Sequence, residues 1–132
     1  MRVILVEPDK VARIAEIGEE LHDMQEIVGG LIQALYPWED SAAIICNDER
    51  KLKRLPLNRV LKNYDIIAGT FFVCGLQGEN FSSLTEQQLR KYRRKFRCPE
   101  KFIPTSNGLR CLKIEPVVMP KEKNKKSSNY ER

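Results

Sequence analysis

Residues 66–76, IIAGTFFVCGL, are the most apolar run in the chain. Their β-branched and aromatic content reads as a central strand of a sheet. Gly69 inside the run predicts a bulge or a close backbone approach. A central strand needs neighbours, and the sequence offers several. Residues 2–7, RVILVE, are β-branched; Pro8-Asp9-Lys10 supplies a turn, and VARIAEI over 11–17 returns, giving an opening hairpin. LIQALYP gives a strand near 31–36 ended by Pro37, AAIICN another at 42–47, and LRCLKIEPVV a last one.

Between these runs the period changes from two to 3.6. In GEELHDMQEIVGG, Leu21, Met24 and Ile27–Val28 recur at helical spacing, with Glu19 and Glu20 in the first turn and Gly29 at the end. This predicts a helix over about 19–28. The stretch PLNRVLK, with Pro56 near its start, predicts a short helix after the charged connector ERKLKRL. QGENFSS reads as a loop. Thr85 to Gln88 has capping-box form and starts a second long helix that runs to about Phe96, before Pro99. The order β-β-α-β-β-(α)-β-α-β predicts an α+β fold: a mostly antiparallel sheet of about five to six strands with two main helices packed on one face. Residues 1–120 form one domain in this reading, and 121–132, KEKNKKSSNYER, a disordered basic tail.

At 132 residues with 42% apolar and 31% charged content, the composition is that of a soluble globular domain. No stretch approaches the ~20 apolar residues that span a bilayer. The short apolar segment of MRVILVEPDK is followed at once by Glu7 and Asp9, unlike a signal peptide, so the expectation is a cytoplasmic protein with no membrane partner. Cys46, Cys74, Cys98 and Cys111 contain no Cys-x-x-Cys pair, and His22 is the only histidine, which argues against a metal site or a cofactor. Cys46 and Cys74 lie in strand-like runs as small buried hydrophobes. A Cys98–Cys111 disulfide is conceivable, but the cytoplasm keeps such a pair reduced.

Enzyme chemistry finds few parts. His22 sits on an acidic helix, and neither G-x-G-x-x-G nor G-x-x-x-x-G-K-[ST] is present. Glu39-Asp40 reads as a solvated loop pair. No catalytic residue is assigned, and the expectation is a non-enzymatic protein. A small ligand, if one binds, is expected near Asn47, Asp48, Asn58 and Arg59, the polar residues at the strand ends.

Charge gives a sharper lead. Residues 1–48 hold three basic and ten acidic side chains, whereas residues 49–132 hold twenty and eight. The densest basic stretch is LRKYRRKFR, residues 89–97. At 100° per residue, Leu89, Tyr92 and Phe96 fall within a ~60° arc that faces a core. Arg90, Arg94 and Arg97 cluster on another side with Arg93 beside them, and Lys91 and Lys95 lie farther round. Cations near a helix C-terminus also complement its dipole by ~0.3–1 kcal/mol, a structural motive independent of any partner. Arg50, Lys51, Lys53, Arg54, Arg59 and Lys62 form a second cluster, and Lys121, Lys123, Lys125 and Lys126 a third. Convergence of the three on one face would engage several phosphates, or an acidic protein surface, in a salt-dependent way. No helix-turn-helix, RNA-binding aromatic signature or zinc finger accompanies them, so such contacts would be sequence-tolerant.

The segments MRVILVEPDKVARIAEI, LHDMQEIVGGLIQALYP, LPLNRVL, YDIIAGTFFVCGL and FSSLTEQQLRKY, in that order, resemble a small domain family of bacteria, phages and plasmids, domain of unknown function 3846. The resemblance covers roughly residues 1–98. The family has no established reaction, so it supplies no catalytic residues. It implies a small accessory protein of a mobile genetic element. The resulting expectation is a host-defence antagonist, of anti-CRISPR type or similar, that binds a host nuclease or nucleoprotein complex. The alternative is an accessory protein that binds nucleic acid directly.

Overall fold

A computed structural model of the chain describes residues 1–62 and 64–116. The basic tail predicted at 121–132 lies outside them. The strands are β1 (Arg2–Val6), β2 (Arg13–Glu16), β3 (Ile32–Leu35), β4 (Ala42–Asn47), β5 (Leu57–Leu61), β6 (Asp65–Ala68), β7 (Phe71–Gln77), β8 (Asn80–Ser82), β9 (Glu100–Thr105) and β10 (Gly108–Lys113). The helices are α1 (Leu21–Val28) and α2 (Glu86–Lys95). The main sheet runs β2-β1-β7-β4-β3 and every pair in it is antiparallel. β1 pairs with Phe71–Val73 and β8 with Gly75–Gln77, so these two lie end to end along one flank of β7. β5–β6 and β9–β10 are separate two-stranded ribbons.

The two helices lie on opposite faces of the sheet, not on one. β1, β4 and β7 are buried at consecutive positions, so both faces must be covered. Ile4, Val6, Ile44, Cys46, Phe71 and Val73 point to the face roofed by Leu89, Tyr92 and Phe96 around α2. Their sequence neighbours Val3, Leu5, Ala43, Ile45, Phe72 and Cys74 point the other way, onto Met24 and Val28 of α1. Period-two geometry thus splits each apolar run between two cores.

Other expectations change as well. PLNRVLK is not helical but strand β5, paired with β6 through Leu57–Ala68 and Val60–Ile66. The single strand expected over 66–76 is two, β6 and β7, broken at Gly69. That residue has φ of +80°, and a Cβ there would lie 2.7 Å from Leu55 Cδ1, the close approach its position suggested. The QGENFSS loop contains β8, and the loop and last strand expected after Pro99 form the β9–β10 hairpin. α2 keeps both expected ends and α1 its C-terminal one, whereas α1 begins at Leu21 with Glu20 as its N-cap, so Glu19 and Glu20 precede the first turn expected to hold them. Gly29 C-caps α1 in the left-handed region, and the α2 capping box is formed, with Gln88 N donating to Thr85 Oγ1 (3.1 Å) and Thr85 N to Gln88 Oε1 (3.0 Å).

Candidate cationic interface on α2

α2 presents its charges because its apolar stripe is firmly seated. Leu89, Tyr92 and Phe96 are buried, and Trp38 stacks on Tyr92 with ring centroids 4.5 Å apart. Phe71 meets Phe96 edge-on at 5.3 Å. The loop between β3 and β4 fastens the helix further through Asp40. Its carboxylate accepts from Tyr92 Oη (2.6 Å) and Gln88 Nε2 (3.1 Å), and Lys91 Nζ lies 3.6 Å away. Asp40 is therefore not a solvated loop acid.

The Tyr92 hydroxyl, helped by Gln88, holds the Asp40 carboxyl below its usual range, whereas burial and Asp40 raise the Tyr92 phenol. A carboxyl with a lowered folded-state pKa stabilises the fold above its unfolded value, and that contribution is lost as pH falls through the folded value. Tyr92→Phe is thus expected to lose about 1 kcal/mol near neutrality. The gap from the parent is expected to narrow as pH falls below the usual carboxylate range. Urea titrations along a pH series check it; a gap that does not change with pH would refute this role for Asp40.

The cations divide into spent and open groups. Arg90, Arg93, Arg94 and Lys95 are exposed and make no ion pair among the described residues. Lys91 is held by Asp40, and the half-buried Arg97 lies 3.6 Å from Glu115. The second predicted cluster is largely consumed within the fold. Arg50 is buried, donating to Gln33 Oε1 (2.6 Å) and Asn47 O (3.3 Å); Lys51 pairs with Asp65 and Lys53 with Glu49. Of that cluster only Arg54 and Lys62 are exposed without an ion pair among the described residues. The third cluster lies outside the described residues.

Of the residues expected beside any small ligand, Asn47, Asn58 and Arg59 are fully buried and bonded within the fold, and only Asp48 is exposed. Asn47 Nδ2 donates to Val28 O and Asn58 Nδ2 to Val6 O and Gly69 O. Arg59 donates to Phe96 O, Lys10 O, Asn58 O and Asn58 Oδ1. These residues join β5 to β1, to the first turn and to the end of α2. Sequence carried no local sign of this, since every partner but Asn58 is remote.

All four cysteines are free. Cys98 Sγ lies 3.6 Å from Glu115 Oε2 and Cys111 Sγ 3.2 Å from Glu100 Oε1, so each thiol has its own carboxylate neighbour. Burial and the neighbouring Glu100 raise the Cys111 thiol to about 11, and burial alone raises Cys74 to about 12. His22 is exposed, 3.3 Å from Asp23. Among the described residues no group of three His, Cys, Asp or Glu side chains is placed to hold a metal ion. Likewise no described helix is long and apolar enough to cross a membrane. A wide groove of about 1010 Å³, which sequence did not signal, opens between the β7–β8 hairpin and the start of α2. It is lined by Ser41, Gln77, Asn80, Ser83 and Thr85, with Glu19 and Glu79 as its carboxylates.

Fold and surface together define an α+β domain with an antiparallel sheet between two short helices, one of which displays an open row of cations. Residues 1–97 match the family described as Domain of unknown function (DUF3846), and the chain belongs to that family. The β9–β10 hairpin follows the matched part. No curated protein and no solved structure matches the chain.

Proposed function

We propose that this is a small non-enzymatic binding protein of a mobile genetic element, a host-defence antagonist that docks α2 onto a polyanionic host target such as a nuclease with its bound nucleic acid. The observation that carries the reading is the open set Arg90, Arg93 and Arg94, with Lys95 farther round, on a helix whose Leu89, Tyr92 and Phe96 side is locked to the core. Arg90 and Arg94 stand one turn apart, and like charges at that spacing cost about 0.2–0.5 kcal/mol each pair. Elsewhere the fold pairs some of its cations, at Arg2, Arg13, Lys51, Lys53 and Lys101, while Lys10, Arg54, Lys62, Arg110 and Lys113 are exposed without an ion pair among the described residues. A repulsive row left unpaired on a rigid helix suits an external anion.

Arg90→Glu/Arg94→Glu tests it. Target capture from a host lysate is expected to fall by roughly tenfold or more, with the unfolding midpoint unchanged or slightly lowered, since two glutamates at that spacing repel as two arginines do. Capture that survives the exchange would reject this surface. A gel shift of duplex and single-stranded nucleic acid by the parent protein, weakening steeply with salt, would instead support direct nucleic-acid binding.

A further inference from the structure

The two edges of the main sheet are guarded unequally. β2 carries Arg13 and Glu16, charges of the kind that deter strand pairing. β3 carries none, and the whole stretch 28–38, VGGLIQALYPW, is uncharged. Its flanking residues Leu31 and Tyr36 are 56% and 57% exposed. The backbone polarity of this edge follows from one bond. Asp48 N donates to Leu31 O (2.8 Å), in line with the β3–β4 register that pairs Ile32 with Asn47. Hydrogen bonding alternates along an antiparallel ladder. Gln33 and Leu35 therefore turn their amide groups inward to Cys46 and Ile44, while Ile32 and Ala34 turn theirs away from the sheet. Among the described residues nothing bonds to those outward groups.

We infer that the β3 edge pairs with the β3 edge of a second copy of this chain, antiparallel about a two-fold axis, joining two sheets into one. With Ala34 on the axis opposite itself, Ile32 faces Tyr36 of the second copy. Ile32 and Ala34 lie on the α1 side of the sheet, where they are only partly covered. Aromatic and β-branched residues paired across strands add about 0.2–1 kcal/mol each, and alanine on the axis leaves the backbones free to approach. Charge selects a second copy over a cationic or acidic strand. The chain carries +5, so copies repel wherever their cations meet. β3 itself brings no charge to the seam, the Arg50 that holds Gln33 Oε1 being buried, and α2 packs over β1 and β2 at the far side of the sheet. The two cationic helices then sit at opposite ends of the joined sheet.

Sedimentation across micromolar concentrations tests the pairing. The parent is expected to pass from monomer to dimer as concentration rises. Ala34→Pro removes an outward N–H that the monomer does not use, a position where an edge strand tolerates proline. Tyr36→Lys puts a cation on an exposed side chain at each end of the interface. Both variants are expected to weaken dimerisation at least tenfold while keeping the parent circular dichroism spectrum. If Ala34→Pro fails to fold, Tyr36→Lys alone decides. A parent that stays monomeric throughout, or folded variants that dimerise as the parent does, would overturn the inference.

Discussion

Arg59→Met is expected to lower the unfolding free energy by about 3–5 kcal/mol, the range for removing one member of a buried charged network. Arg59 is fully buried, and its guanidinium reaches two remote segments, at Phe96 O twice (3.2 and 3.0 Å) and Lys10 O (2.7 Å), besides the carbonyl and side chain of its neighbour Asn58 (3.2 and 2.8 Å). Methionine fills the space but donates nothing, so the buried Phe96 carbonyl at the end of α2 loses both donors and the part-buried Lys10 carbonyl loses Arg59. Each costs about 1–3 kcal/mol. A compensating apolar exchange cannot cancel the loss, because the acceptors belong to the backbone. Glu100, also buried, would lose a nearby positive charge while still accepting from Val60 N. Arg59→Lys keeps the charge but not the planar fork, and is expected to recover only part of the loss. Equilibrium urea unfolding of both variants measures this; a loss below about 1 kcal/mol for methionine would show that the network does not close the fold.

Legibility in the sequence follows the range of the determining interactions. α1 and α2 could be read because their signals are local: Gly29 ends one, and Thr85 with Gln88 starts the other. β5 was hidden because Pro56 and the Leu57, Val60, Leu61 spacing imitate a helix start, while its strand state depends on pairing with Ile66 to Ala68. The placement of the helices was readable in principle, since VILV, AAIIC and FFVC are apolar at consecutive positions and demand cover on both faces. The candidate site shows the same division. The outward set on α2 follows from helical period alone. The fate of Lys51 depends on Asp65, fourteen positions away, and that of Arg59 on carbonyls at Lys10 and Phe96. Composition assigns these cations to a surface cluster; only tertiary contacts reveal that the fold has used them.

Because the sheet is covered on both sides, two adjacent residues of β7 make the sharpest comparison. Phe71→Ala and Phe72→Ala are each expected to cost about 3–5 kcal/mol, the usual range for emptying a fully buried aromatic site. Their local consequences differ. Phe71 packs edge-on against Phe96, the C-cap of α2 whose carbonyl Arg59 holds, and Phe96 in turn lies 6.2 Å from Trp38. Phe72 points to the opposite core, beneath α1. Trp38 is the only tryptophan, so its native-state emission reports the α2 side alone. Phe71→Ala is expected to shift that emission to the red and loosen the seat of α2, whereas Phe72→Ala, equally destabilised, leaves it in place. The binding proposed for Arg90 and Arg94 is then expected to weaken in the first variant and persist in the second while both remain folded. Equal weakening in the two would mean that the partner responds to global stability and not to the seating of α2. Equal red shifts would mean that the cores on the two faces of the sheet relax as one.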